Sequence, residues 1–271
     1  MGEIHIGTQG WNYDDWVGSF YPRGSRTADL LDFYIKAFDT VEVDSTFYAI
    51  PSEASVKSWI TRAPDGFTYS LKLPQQITHE LRLRDCGEVL DRFCQRAREL
   101  DAKLGCVLIQ LPPDFSPRSW SALESFIPLL PSDIRFAVEF RDQAWVTEPV
   151  VEQLLELLSK FNVALALMDS KWIAREASLA LINRPTAAFG YVRWMGARVL
   201  TQFSHLQIDR DRELGQWAGA LATLRQRVEV IYGYFNNHYQ GHSPGSANQF
   251  KRLIGQSVVE PESLNAQPSL F

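Results

Sequence analysis

The chain has 271 residues, a formal net charge of −5, 45% hydrophobic residues and 22% charged residues. That length can bury one large core and lies near the ~250 residues usual for a (β/α)8 barrel. The hydrophobic share excludes a disordered chain, and the acidic balance argues against a broad direct nucleic-acid-binding surface.

Residues 4–8 read as the first strand. Residues 28–38 follow with helical spacing, placing Leu30, Leu31, Tyr34, Ile35 and Phe38 on one side. The second strand is expected over 41–46, and Pro51-Ser52 marks a helix start. The third strand spans 67–73. A helix over 87–104 carries Val89, Leu90, Phe93, Ala97 and Leu100. The fourth strand spans 105–111, and Ser116-Pro117 marks another helix start. The fifth strand covers 135–140 and is followed by a helix over 149–161. The sixth strand covers 163–169, and the pattern over 170–187 is the least clear in the chain. The seventh strand covers 188–194. The long stretch 195–212 reads as a lid loop or an irregular insertion. A helix over 214–228, the eighth strand over 230–236 and a helix over 246–254 complete the series.

Near-continuously apolar strands alternating with helices indicate a parallel sheet covered by helices. The expected fold is therefore α/β: a single TIM-like (β/α)8 barrel domain over residues 1–255 with a flexible C-terminal tail over 256–271. An open doubly wound sheet is the alternative. No GxGxxG follows the first strand, which weakens a dinucleotide-binding reading. Cys86, Cys94 and Cys106 form no CxxC pair and, being odd in number, no complete disulfide framework. The first ten residues lack the pattern of a signal peptide, and no apolar run approaches the ~20 residues that span a bilayer. A cytoplasmic protein without a membrane partner is expected.

Polar residues gather at the carboxyl ends of the strands, where barrel enzymes work. Glu42 and Asp44 share one parity, as do Glu139 and Arg141. Lys72, Thr78, His79, Gln110, Asp169, Arg193, Asn236 and Asn237 join them. Any one pair is equally well read as a salt bridge closing the barrel mouth. So many desolvated charges are costly without a use, so the set points to a ligand pocket. Glu42, Glu139 and Asp169 are the candidate catalytic carboxylates, with Glu139 or Glu42 as the acid–base group. Trp11, Lys72, His79, Gln110, Arg141, Arg193, Asn236 and Asn237 are the candidate ligand-binding residues. The segment 236–248 is read as a phosphate-binding helix start or as a turn with an N-cap. There is no HxH, HExxH or GxSxG spacing. A divalent metal on Glu42, Asp44, Glu139, Asp169 or His79 is a weak alternative, and the cofactor is left open.

Several motifs stand in order along the chain: Gly7-Thr8-Gln9-Gly10-Trp11, Val41-Glu42-Val43 with Thr46-Phe47-Tyr48, Lys72-Leu73-Pro74 with Ile77-Thr78-His79, and Gln110-Leu111-Pro112 with Phe115. Val138-Glu139-Phe140-Arg141 with Trp145, Tyr191-Val192-Arg193-Trp194 with Gly196, and Phe235-Asn236-Asn237 complete the set. With these the chain resembles the YecE-like family, also called the domain of unknown function 72 family. The resemblance implies a TIM-like barrel and supplies no established reaction. Asp142 and Met195 stand where it leads one to expect histidines, so any acid–base or metal role of those histidines is lost or altered here.

The last residues, Gln267-Pro268-Ser269-Leu270-Phe271, are similar to the peptide by which bacterial replication and repair proteins dock on the sliding clamp. Gln267, Leu270 and Phe271 would be the contacts; otherwise Leu270 and Phe271 pack on the barrel. Three functions are carried forward. The first is an enzyme, hydrolase-type favoured, acting on a small polar or anionic ligand that is phosphorylated, sugar-like or nucleic-acid-derived. The second is a clamp-associated accessory protein in DNA replication or repair. The third is a glycoside hydrolase, which needs two carboxylates about 5–5.5 or 6.5–9.5 Å apart.

Overall fold

Alternate residues of the strands belong to two different cores. Val107, Ile109, Val138, Val192 and Ile231 pack outward under the helices, while Cys106, Leu108, Ala137, Tyr191 and Tyr232 fill a second cluster. Period-two alternation with both faces buried is the mark of a parallel sheet rolled into a barrel. The protein is described here by a computed structural model, which covers residues 1–197 and 199–264.

The strands are β1 (Glu3–Gln9), β2 (Thr40–Val43), β3 (Thr68–Lys72), β4 (Leu104–Gln110), β5 (Phe136–Glu139), β6 (Ala164–Leu165), β7 (Leu167–Ser170), β8 (Phe189–Gly196) and β9 (Val230–Phe235). All pair in parallel, in the order β6-β5-β4-β3-β2-β1-β9-β8-β7. β6 and β7 are two halves of one barrel position, separated only by Ala166. β6 bonds to β5 and β7 bonds to β8, and the Ala166 N–H still donates to the Val138 carbonyl at 2.9 Å. The ring closes through that residue, giving eight positions.

The helices are α1 (Leu30–Ala37), α2 (Glu53–Arg62), α3 (Gly87–Arg98), α4 (Trp120–Phe126), α5 (Val150–Lys160), α6 (Arg175–Ala180), α7 (Asp211–Leu224), α8 (Ser243–Leu253) and α9 (Pro261–Leu264). Ser52 caps α2, its hydroxyl accepting the Ser55 N–H at 3.1 Å. The apolar stripes expected for α1, α3 and α5 all face the sheet. None of the described helices is long and apolar enough to cross a membrane.

The differences from the expected elements have local causes. β2 ends at Val43, and Asp44–Phe47 turns into a 3-10 helix, so Asp44 leaves the strand parity it shares with Glu42 in sequence. α3 stops at Arg98 rather than 104, because Asp101 adopts a φ of 48° and the chain turns into β4. The unclear stretch after the sixth strand holds the six-residue α6. Residues 256–264 are anchored: Gln256 Nε2 donates to the Ile4 carbonyl at 2.6 Å, and Leu264 is buried. Gln267, Leu270 and Phe271, the expected clamp contacts, lie outside the described residues.

Two glycines separate steric need from simple tolerance. A Cβ on Gly7 would lie against the Thr40 carbonyl oxygen, a backbone atom with no room to move. Gly219 is exposed in α7 with nothing within 4 Å of its place for a Cβ. Gly219→Ala is expected to raise stability by about 0.5–1 kcal/mol. Gly7→Ala is expected to cost about 1–3 kcal/mol or more by overpacking. Urea denaturation of both variants reads the contrast directly.

Candidate functional site

Inward parity carries polar side chains into the upper half of the lumen. Glu42 is on β2, Lys72 on β3, Gln110 on β4, Glu139 on β5, and Tyr191, Arg193 and Met195 on β8. Arg141 follows β5 at the same parity as Glu139. Glu42 and Glu139 are fully buried and Arg193 is 1% exposed.

Arg193 is the hub of this cluster. Its Nη2 donates to Glu42 Oε1 at 2.6 Å, and its Nη1 donates to Glu139 Oε2. Gln110 Oε1 lies 3.4 Å from the same Nη1. Each carboxylate has a second donor on its other oxygen. The Tyr191 hydroxyl donates to Glu42 Oε2 at 2.7 Å, and Arg141 Nε donates to Glu139 Oε1 at 2.7 Å. The guanidinium therefore lies between the two carboxylates and holds both.

The two glutamates titrate in opposite directions. Burial lifts Glu42 above the ordinary carboxylate range; the attraction of Arg193 does not offset it, and the charge of Asp44 adds to the lift. Burial also works against Glu139. There, however, Arg193 and Arg141 together outweigh it and hold the group down at about 2. Desolvation and like charge raise a carboxyl, and close cations lower it. A pair split this way is the arrangement from which acid and base roles are made.

The rim above is built from loops. Arg141 is 8% exposed and sits over Trp172, 4.1 Å from guanidinium carbon to ring centroid. The Ser170 hydroxyl accepts the backbone N–H groups of Trp172 and Ile173, both at 3.2 Å, which shapes the turn presenting that ring. Lys72 Nζ pairs with Asp44 at 3.1 Å and sits over Phe47 at 4.9 Å. His79 meets the same Phe47 ring edge-on at 5.0 Å, with Nδ1 2.8 Å from the Thr78 hydroxyl. Its pKa is lowered, first by burial and then by the charges of Arg141 and Lys72. His79 belongs to a π-helical turn, Gln76–Glu80. That turn is followed by three non-glycine residues at positive φ: Arg82, Leu83 and Asp85. Strained backbone of this kind concentrates at functional sites.

Several expected site residues lie elsewhere. Asp169 pairs with Trp194, an outward residue of β8, so it faces the helices rather than the lumen. There it accepts from Trp217 Nε1 at 3.0 Å, the Tyr239 hydroxyl at 3.1 Å and Arg175 Nη1 at 3.4 Å. Asn237 accepts from Trp16 Nε1, the Ser243 N–H and the Ser243 hydroxyl at 3.1, 3.0 and 2.8 Å, holding the loop before α8. Asn236 donates to Gln9 Oε1 at 2.8 Å and so orients Gln9. Trp11 packs edge-on against Trp59 of α2. Trp16, Trp145 and Trp194 are buried packing residues.

The start of α8 has its amides already engaged. The Ser243 N–H goes to Asn237, the Gly245 N–H to His242 Nδ1 and the Ser246 N–H to the His242 carbonyl, while Pro244 has none. This turn is an N-cap, and the helix-start amides that the phosphate-binding reading of 236–248 would use are already taken. At the two positions where histidines were expected, Asp142 caps a 3-10 turn through the Ala144 N–H. Met195 is buried, its sulfur 2.9 Å from Gln9 Nε2. Among the described residues no group of three or more His, Cys, Asp or Glu is arranged to hold a metal ion. Tyr191 and Gln9 were not among the residues singled out for the site, and Asp44 was named only beside Glu42 and as a metal ligand. Tyr191 was readable from its parity with Arg193, two residues on.

A family model described as "Protein of unknown function DUF72" matches residues 5–269. The UPF0759 protein YecE of Escherichia coli is 30% identical over 229 residues, covering 79% of this chain and 82% of that protein. The UPF0759 protein YunF of Bacillus subtilis is 27% identical over 289 residues, covering 97% and 99%. A DUF72 family protein of Thermotoga maritima, known from its crystal structure, shares 24% identity at a TM-score of 0.77 over 94% of this chain and 100% of its own. A second, from Enterococcus faecalis, shares 19% identity at 0.74 over 95% and 99%. These two structures share the barrel.

Glu139 has a depressed folded pKa, so its ionisation stabilises the protein above its ordinary value of 4.5. That contribution is lost as the pH falls from about 4.5 toward about 2. Glu139→Gln is expected to remove this acid-side loss. At neutral pH it is expected to cost about 3–5 kcal/mol, because Arg193 and Arg141 lose a buried counter-charge. Chemical denaturation of both proteins across an acidic pH series measures each effect.

Proposed function

The chain belongs to the DUF72 family, and we propose that this member is an enzyme acting on a small polar substrate at the mouth of its barrel. In this reading Glu42 carries the proton that is exchanged with substrate, and the Arg193–Glu139 pair supplies a fixed charge beneath it. The observation that carries the reading is the split of two buried glutamates by one guanidinium: one is lifted toward its protonated form and the other is held ionised. Asp169 has no part in it, since its three donors tie it to the outer helices.

Glycoside hydrolysis is the weaker reading. Both of its routes need the space between two carboxylates for a sugar carbon or a water. Here that space is filled by the Arg193 side chain. Tyr191 supports Glu42 as the group in use. Its hydroxyl binds the oxygen that Arg193 leaves free, and its own pKa is pushed up by burial and by Glu42, so it stays a donor.

The test is to incubate the protein with pooled small polar metabolites and to follow their loss by mass spectrometry. Wild type is expected to deplete at least one compound. Glu42→Gln is expected to slow that loss about 10²–10⁴-fold, the usual worth of a general acid or base. It is expected to keep the thermal shift that the compound produces. Depletion at the same rate by Glu42→Gln removes Glu42 from the chemistry, and no depletion and no thermal shift with any compound removes the enzyme reading.

A further inference from the structure

Arg141 has a hydrogen-bonding position that the protein does not use. Nε is committed to Glu139, and the guanidinium carbon sits 4.1 Å from the centroid of the Trp172 ring. Nη2 is buried and has no acceptor among the described residues. A buried charged donor left unpaired loses its hydration with nothing in return. The side chain is more than nine-tenths buried, so bulk water is a poor substitute.

Two further basic side chains face the same part of the mouth. Lys72 Nζ and the His79 ring both touch Phe47, at 4.9 and 5.0 Å from its centroid. His79 has Nδ1 on Thr78, and Nε2 has no hydrogen-bond partner among the described residues. Arg141 and Lys72 both act on the charge of His79, which places the three groups within electrostatic reach of one another.

The charges in this half of the lumen balance only when every carboxylate is ionised. Lys72, Arg141 and Arg193 stand against Asp44, Glu42 and Glu139. A proton on Glu42 leaves one positive charge over.

We propose that the mouth is a binding site for a compact oxyanion, a carboxylate or phosphate group, that accepts from Arg141 Nη2 and is flanked by Lys72 and His79. Arginine suits this role because its planar fork matches the oxygens of such groups. The proposal rests on the acid–base reading of Glu42 and names the substrate class for it: a small molecule whose anionic group docks on Arg141 and whose reacting part lies toward Glu42. Binding of the anion and protonation of Glu42 then reinforce each other.

Inorganic phosphate and acetate serve as probes, titrated into the full chain at ionic strength held constant with chloride. The His79 ring is followed by NMR at each pH. The charges facing it are Lys72, Arg82, Asp114 and Arg141. A saturable shift is expected with at least one probe, together with a rise of about one unit in the His79 pKa. Arg141→Gln is expected to weaken binding at least about 10-fold, the equivalent of one charge-assisted hydrogen bond. Arg141→Lys keeps a charge beside Glu139 and guards against loss of the fold; the same weakening is expected. Arg82→Gln, whose arginine is engaged by Asp114, is expected to bind as wild type does. Unsaturable drift with both probes, or equal binding by the folded Arg141 variants, overturns the anion site. Proton uptake on binding, read by calorimetry in buffers of different ionisation enthalpy, is expected to fall in Glu42→Gln. If binding is intact but uptake is unchanged in that variant, the acid–base role of Glu42 fails and the anion site stands.

Discussion

A single guanidinium, that of Arg193, lets three charged side chains exist in the lumen of this barrel. An isolated ion in such a place is costly by several kcal/mol even after the protein relaxes. Arg193 meets that cost by touching both glutamates at once, and each glutamate is completed by one more donor, Tyr191 or Arg141. The differences between Glu42 and Glu139 then follow from what else is near. Glu139 has a second cation; Glu42 has a phenol and, further off, the carboxylate of Asp44. Identical side chains on opposite walls thus acquire different proton affinities.

The cluster is positioned by the geometry of the sheet. Alternation sends every second residue of a strand into the lumen, so Tyr191, Arg193 and Met195 stack on β8, and Glu139 and Arg141 follow one another at the end of β5. The break at Ala166 leaves this alternation intact. It lets one barrel position hydrogen-bond first to β5 and then to β8, and beyond it Asp169 pairs with the outward Trp194. The residue that looks most like a third catalytic carboxylate in the sequence becomes a bracket between strand and helix.

Much of this is legible in the sequence. The eight strand positions, the apolar stripes of the helices and the inward row from Glu42 to Arg193 are all consequences of periodicity, which is a local property. Three things were not legible. The parity of Asp44 changed because the chain turned at Val43, and the outward parity of Asp169, shared with Leu165 and Leu167, was hidden because both faces of its strand are apolar. The amides at the start of α8 were claimed by Asn237 and His242, and the sequence shows glycine and serine there whether those amides are free or taken. The use of Trp172 as a platform for Arg141 joins residues from successive loops, and only the closed barrel brings them together. The family resemblance drawn from the motifs holds across the chain.

The capped start of α8 has a consequence for how this barrel could respond to its surroundings. A site built on backbone amides and a helix dipole has a sign that no proton can change. Here the backbone is withdrawn, and the field at the mouth comes from ionisable side chains, among them a glutamate and a histidine whose proton affinities are shifted toward each other. Such a mouth has an adjustable polarity. Acidity of the medium, rather than a moving part, would set how strongly it draws in a negative guest.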